Sequence, residues 1–204
     1  MKLVAVSAGL STPSSTRLLA DRLTDTVRDE LADQGHKAEV NVIELRALAV
    51  AIANNLVTGF PPPQLAGAIE AVTSADGLVT VTPVFSASYS GLFKSFFDLL
   101  DPGALAGKPV VIGATGGTAR HSLVLDHALR PLFTYLRTVA LPTGVYAASE
   151  DWGSGSDAHT EGLPARIRRA GREMASILAT RAAHPVPKDD LTLPKKQLSD
   201  LRFD

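Results

Sequence analysis

Three stretches of this sequence gather side chains able to hold a small charged or planar ligand. The first is Ser7-Ala-Gly-Leu-Ser-Thr-Pro-Ser-Ser-Thr-Arg17, with six hydroxyl residues in ten positions and an Arg at the start of a helical pattern. Free backbone N–H groups and the positive end of a helix dipole form an anion cradle there. Hydroxyls donate to phosphate oxygens, and Arg17 adds charge. Ser and Thr are also favoured as helix caps, so an ordinary capped turn fits the same residues. The stretch has no G-x-x-x-x-G-K-[ST] and no G-x-G-x-x-G pattern. That excludes a Walker-type loop and argues against a dinucleotide fold of the Rossmann kind.

The second stretch is Thr82-Pro-Val-Phe-Ser-Ala-Ser-Tyr-Ser-Gly91, running into Leu92-Phe93-Lys94. Beside Pro83, the residues Val84, Phe85, Ser86 and Tyr89 would offer free amides and a flat apolar surface, which suits a planar heterocycle better than a phosphate. Phe85 and Tyr89 as core caps, with Ser90 as a helix cap, is the competing reading. The third is Ala114-Thr-Gly-Gly-Thr-Ala-Arg-His121. Gly116 and Gly117 let backbone approach a ring edge, flanked by Thr115 and Thr118. Gly113 to Gly117 reads G-x-T-x-G, but a Thr without a placed base is a poor nucleophile. His121 and Asp126 are five apart and do not share a helix face well, so His121 is expected to meet a ligand or the backbone, not a metal.

These stretches need elements to carry them. Strands are expected at Leu3–Ser7, Ala38–Ile43, Gly77–Thr82, Pro109–Ala114 and Thr138–Leu141, most of them near-continuous in Val, Leu, Ile and Ala, as for strands covered on both faces. Helical spacing separates them: Leu19, Leu23, Val27, Leu31; then Leu92, Phe93, Phe96, Phe97, Leu100; then Leu125, Ala128, Leu129, Leu132, Leu136; then Leu163, Ile167, Ala170, Met174, Ile177. The pattern predicts an α/β fold, a doubly wound five-stranded parallel sheet of flavodoxin-like order 2-1-3-4-5 with helices on both faces. In such a sheet ligands lie beyond the carboxyl ends of the strands, where all three stretches fall. A phosphate cradle after strand one and ring-contacting loops after strands three and four make the layout for a mononucleotide such as FMN. Residues 1–182 are expected to form that FMN-binding domain and 183–204 a C-terminal tail.

Composition narrows the partners. The chain has 204 residues, 45% hydrophobic and 20% charged, with a formal net charge of −1. It has no general attraction for nucleic acid or acidic membrane and lacks the acidity of a diffusing electron carrier. Cysteine is absent, which removes disulfides, zinc–thiolate sites, iron–sulfur clusters and thiol nucleophiles, and fits a reducing compartment. The longest apolar run, Ala47 to Ala53, is far below the roughly 20 residues that cross a bilayer. With no leader pattern at the N-terminus, a cytoplasmic location is expected.

On these three stretches, with Thr58-Gly-Phe-Pro-Pro-Pro63 and Ser149-Glu-Asp-Trp152, the chain resembles the NADPH-dependent FMN reductase family over about residues 1–182. The branch paired with luciferase-like flavin monooxygenases is the most similar. The resemblance implies that Ser11, Ser14, Ser15, Thr16 and Arg17 hold the FMN phosphate. It implies that Pro83, Val84, Phe85 and Ser86 line the isoalloxazine, and that Thr115, Gly116, Gly117 and Thr118 meet its pyrimidine edge. Many relatives place an Arg between the two serines of the first loop; here that span is Ser11-Thr-Pro-Ser14 and the Arg comes later. NADPH, or NADH, would pass a hydride from nicotinamide C4 to flavin N5, and reduced FMN would leave for a monooxygenase. A homodimer or homotetramer is implied, a neighbour helping to cover the flavin. Arg120 or His121 would contact nucleotide phosphates or stabilise N1 of the reduced flavin. Rival readings are an FMN-dependent quinone or azo reductase on the same scaffold, and an electron carrier without NAD(P)H activity.

Overall fold

Runs of Val, Leu, Ile and Ala buried on both faces form the centre of the molecule. The structure, a computed structural model, describes residues 1–101, 103–152 and 162–183. In chain order the elements are β1 (Lys2–Ser7), α1 (Ser15–Asp33), β2 (Glu39–Glu44), α2 (Leu45–Thr58), α3 (Pro63–Ser74), β3 (Gly77–Phe85) and β4 (Ser88–Tyr89). Then follow α4 (Gly91–Phe97), β5 (Pro109–Gly116), α5 (Arg130–Tyr135), β6 (Val139–Ala140), β7 (Val145–Ala148) and α6 (Leu163–Ala183). A π-helical turn over Leu125–Leu129 leads into α5.

The main sheet is parallel and runs β2-β1-β3-β5-β6. The doubly wound α/β expectation holds, but the strand count does not. Among the described residues seven strands are present in place of five. β7 pairs with the upper half of β5 (Gly113–Gly116) and β6 with its lower end (Pro109, Val110), so two short strands share the fifth position. Pro142, which has no N–H to donate, stands between them. The Arg130 guanidinium turns the Leu141 and Pro142 carbonyls out of the ladder at 2.9 and 3.1 Å. The other added strand, β4, pairs antiparallel with the end of β3. β3 and β5 also run to Phe85 and Gly116, past the expected ends at Thr82 and Ala114.

Helices cover both faces. Leu19, Leu23, Val27 and Leu31 of α1 are fully buried on one face, with Ala170, Met174 and Leu178 of α6. Each Leu, Val and Met among them contributes roughly 1.5–3 kcal/mol of burial. The other face holds α2, α3, α4 and α5. Its centre is a cluster of Phe93, Phe97 and Phe133, ring centroids 4.7–6.2 Å apart. The helix α6 ends at Ala183, and residues 184–204 of the expected tail lie outside the described residues.

Candidate functional site

The chain leaves β1 for β2 on one side and returns to β3 on the other, which opens a crevice above the β1/β3 boundary. All three ligand-type stretches end at this edge. Ala8 N–H donates to Val81 O at 3.0 Å, so the first loop starts along β3. The Thr16 and Thr115 hydroxyls meet at 2.8 Å, both residues buried, and tie the first turn of α1 to the end of β5.

In the first loop Ser14 is the N-cap of α1, its Oγ accepting from Arg17 N–H at 3.2 Å. Leu18 N–H bonds Ser14 O, while the Ser15 and Thr16 N–H groups precede any intrahelical acceptor. The Ser11 and Ser15 residues are exposed. A Cβ on Gly9 would lie 2.0 Å from Ser14 Oγ, so only Gly lets the loop fold back this tightly. The Thr12–Pro13 peptide is cis. Capping and anion binding are therefore compatible: Ser14 Oγ accepts from the helix and keeps its own hydrogen to donate. Arg17 extends elsewhere. Its Nε lies 2.8 Å from Asp21 and its Nη1 2.5 Å from Glu44. Hydrogen bonding to Asp21, above all, raises its pKa against a smaller opposing burial effect.

The second stretch is a tight hairpin, Val84 opposite Tyr89 and Phe85 opposite Ser88. Ser86 and Ala87 form its turn with φ of 48° and 65°. Two-residue hairpin turns require this conformation and usually take Asn or Gly for it. Held by Ser and Ala, it stores local strain of the kind found at ligand clamps. Thr82 braces the base, accepting from Ser90 N–H at 3.0 Å, and Ser90 caps α4. Phe85 is 48% exposed, so it is no core cap. Pro83 and Val84 are half-buried, and Tyr89 leans on Phe93 with centroids 6.1 Å apart.

In the third stretch Gly116 is crowded and Gly117 open. A Cβ on Gly116 would lie 2.1 Å from the Tyr146 hydroxyl, and one on Gly117 would meet nothing within 4 Å. Tyr146 Oη donates to Thr118 O at 2.7 Å, and Glu150 accepts from Ala119 N–H at 3.3 Å. Burial, then the charges of Glu150 and Asp151, raise the pKa of Tyr146. His121 is exposed, in a cleft of about 320 Å³ lined by Ala87, Ser88, Arg120, His121 and His127. His121 thus sits beside the hairpin, away from the hydroxyl loop. Among the described residues no metal-ligating cluster forms.

Sequence reasoning passed over Glu44, Arg46 and Tyr146. Arg46 donates to Thr12 Oγ1, and Glu44 takes Arg17. Both follow from the pairing of β2 with β1, which sets Glu44 beside Ser7. The signal was position: they too stand at the carboxyl end of a strand. Tyr146 lies on β7, which was not expected. The donor set fits FMN: hydroxyls and helix-start amides for a phosphate, an exposed phenyl ring and an open Gly for a flat heterocycle.

Comparison with known proteins agrees with this chemistry. The family model for NADPH-dependent FMN reductase matches residues 1–153. The FMN reductase (NADPH) of Pseudomonas aeruginosa is 40% identical over 183 residues, 89% of this chain and 94% of that protein. The NADH-dependent FMN reductase SfnF of Pseudomonas fluorescens is 39% identical over 180 residues, 88% and 93% of the two chains. The crystal structure of an oxidoreductase from Corynebacterium diphtheriae superposes with a TM-score of 0.83 at 47% identity, covering 88% of this chain and 97% of that one. A flavodoxin from Archaea shares the fold, with a TM-score of 0.55 at 12% identity.

Proposed function

The chain belongs to the NADPH-dependent FMN reductase family and is an oxidoreductase of FMN and NAD(P)H, and from that premise we propose that it supplies reduced FMN to a two-component monooxygenase. The observation that carries the flavin reading is the convergence of three loops on one sheet edge, fastened by the Thr16–Thr115 hydroxyl pair. Held by these loops, FMN would supply at N5 an acceptor for hydride from nicotinamide C4.

The chain's own work is binding and placement. Ser11, Ser14, Ser15 and Thr16 hold the phosphate, while Arg17 in the same turn pairs with Asp21 and Glu44. Pro83, Val84, Phe85, Ser86 and Tyr89 line the ring. Thr115, Gly116, Gly117 and Thr118 meet its polar edge through backbone groups. His121 and Arg120 face nucleotide phosphates from the cleft beside the hairpin, and a cation there would also favour negative charge at flavin N1. No side chain need act as a nucleophile or general acid; with both cofactors bound, the protein's part would be to set their distance and exclude water. A second copy covering the exposed Phe85 and Leu10 would complete that exclusion. The monooxygenase role draws support from similarity to SfnF and SfnE reductases. A cytoplasmic setting supplies the reduced nucleotide and suits a chain without cysteine.

The test is oxidation of NADPH, and in parallel NADH, followed at the nicotinamide absorbance band with FMN added to purified protein. Nucleotide oxidation that rises with free FMN is expected. No oxidation above the protein-free rate would overturn the reductase reading. Turnover confined to tightly retained FMN would point to quinone reduction and overturn the supply role.

A further inference from the structure

A phosphate at the start of α1 calls for a cation, and no Lys or Arg occurs from Leu3 to Thr16. Arg17 is next in sequence, but Asp21 and Glu44 both hold its guanidinium. Two carboxylates on one guanidinium leave no positive charge for a third anion. Arg46 reaches the loop from another direction. The parallel pairing of β1 with β2 sets Ser7 beside Glu44, so the first turn of α2 rises next to the hydroxyl loop. From there the Arg46 guanidinium donates to Thr12 Oγ1, midway between Gly9 and Ser15. Arg46 is exposed, and no carboxylate pairs with it among the described residues. Glu44, two positions away, is already neutralised by Arg17.

Resting on the FMN reading above, we propose that Arg46 supplies the positive charge that recognises the terminal phosphate of FMN. Arg17 then has a supporting part. It removes Glu44 as a competitor for Arg46 and joins α1 to the end of β2. A guanidinium suits the task because its planar set of donors can hold Thr12 and a phosphate oxygen together.

The experiment compares FMN with riboflavin, which has the same ring and no phosphate, by flavin fluorescence titration of the full chain without NAD(P)H. In the wild type FMN is expected to bind more tightly. Arg46→Ala is expected to weaken FMN by about tenfold or more, the scale of a lost charge-assisted hydrogen bond, and to leave riboflavin as it was. The salt sensitivity of FMN binding should fall in the same variant. Arg46→Lys, a point charge without the fork, should recover part of the loss. An unchanged ratio of the two affinities in Arg46→Ala, or an equal loss for both flavins, would overturn the assignment and leave the FMN site standing. A wild type that does not distinguish FMN from riboflavin would instead remove the phosphate cradle itself, and Arg46 with it.

Discussion

The loop after β1 and the hairpin after β3 border the same crevice but are built by opposite means. The loop offers hydroxyls, first-turn amides and a borrowed Arg46, all soft groups arranged around a helix start. The hairpin offers an exposed Phe85 on a turn where Ser86 and Ala87 adopt positive φ, clamped by Thr82, Ser90 and a buried phenyl cluster. A phosphate needs charge and donors, which a helix end supplies at little cost in strain. A flat ring needs a rigid surface at a set height, and that requires packing from below. The two regions should therefore fail differently when altered.

The largest effect is expected at the support of the hairpin. Phe93 is fully buried against Phe97, Phe133 and Tyr89. Phe93→Ala is expected to cost about 3–5 kcal/mol of stability, read as a lower denaturation midpoint. A smaller shift would mean that the hairpin stands without its aromatic floor. Next comes the loop: Ser14→Ala with Ser15→Ala should weaken FMN binding by a factor of tens, about 1–3 kcal/mol per lost bond to the charged phosphate. Its stability loss should stay near the ~1 kcal/mol of a missing N-cap. Unchanged FMN affinity would move the phosphate elsewhere.

Tyr146 tests the third loop, which follows β5 on the far side of the hairpin from the hydroxyl loop. Its folded pKa is raised, so the unfolded chain ionises first as pH climbs. Stability is then complete below about pH 10 and is lost as pH rises through the higher folded pKa. Tyr146→Phe should cost ~1 kcal/mol at neutral pH by removing the bond to Thr118 O, and should flatten the alkaline decline. Denaturation midpoints at pH 8 and pH 11 measure both. The smallest effect has the opposite sign. Ala87→Gly relieves a left-handed alanine and is expected to raise stability by about 0.5–1 kcal/mol. No gain in the midpoint would show that the turn is unstrained.

How far the sequence could be read differs between these regions for a physical reason. The hydroxyl loop was legible because its chemistry is local: Ser14 caps the helix through Arg17 N–H, three residues on. The hairpin was seen as a ring-facing loop, but its turn was not, since Ser86-Ala87 carries no Asn or Gly to mark left-handed backbone. The five parallel positions followed from buried runs, yet β7 was passed over. Val145–Ala148 is four residues long and follows a Pro and a Gly, so nothing in its own pattern marks it as a strand. Arg17 looked like the cation by position alone. Arg46, 34 residues from its loop partner Thr12, offered no local sign at all.

By itself the sequence determined the buried runs of the parallel strands, the start of α1 at its hydroxyl cap and which strand ends carry hydroxyls, glycines and aromatics, because burial, capping and turn chemistry act over a few residues; α2 (Leu45–Thr58) was not among its expected helices. The tertiary structure alone decided which charge stands free. Arg17 and Arg46 are the same residue type. Only the pairing of β1 with β2 brings Glu44 to one of them and Thr12 to the other, and electrostatic neutralisation depends on that separation in space.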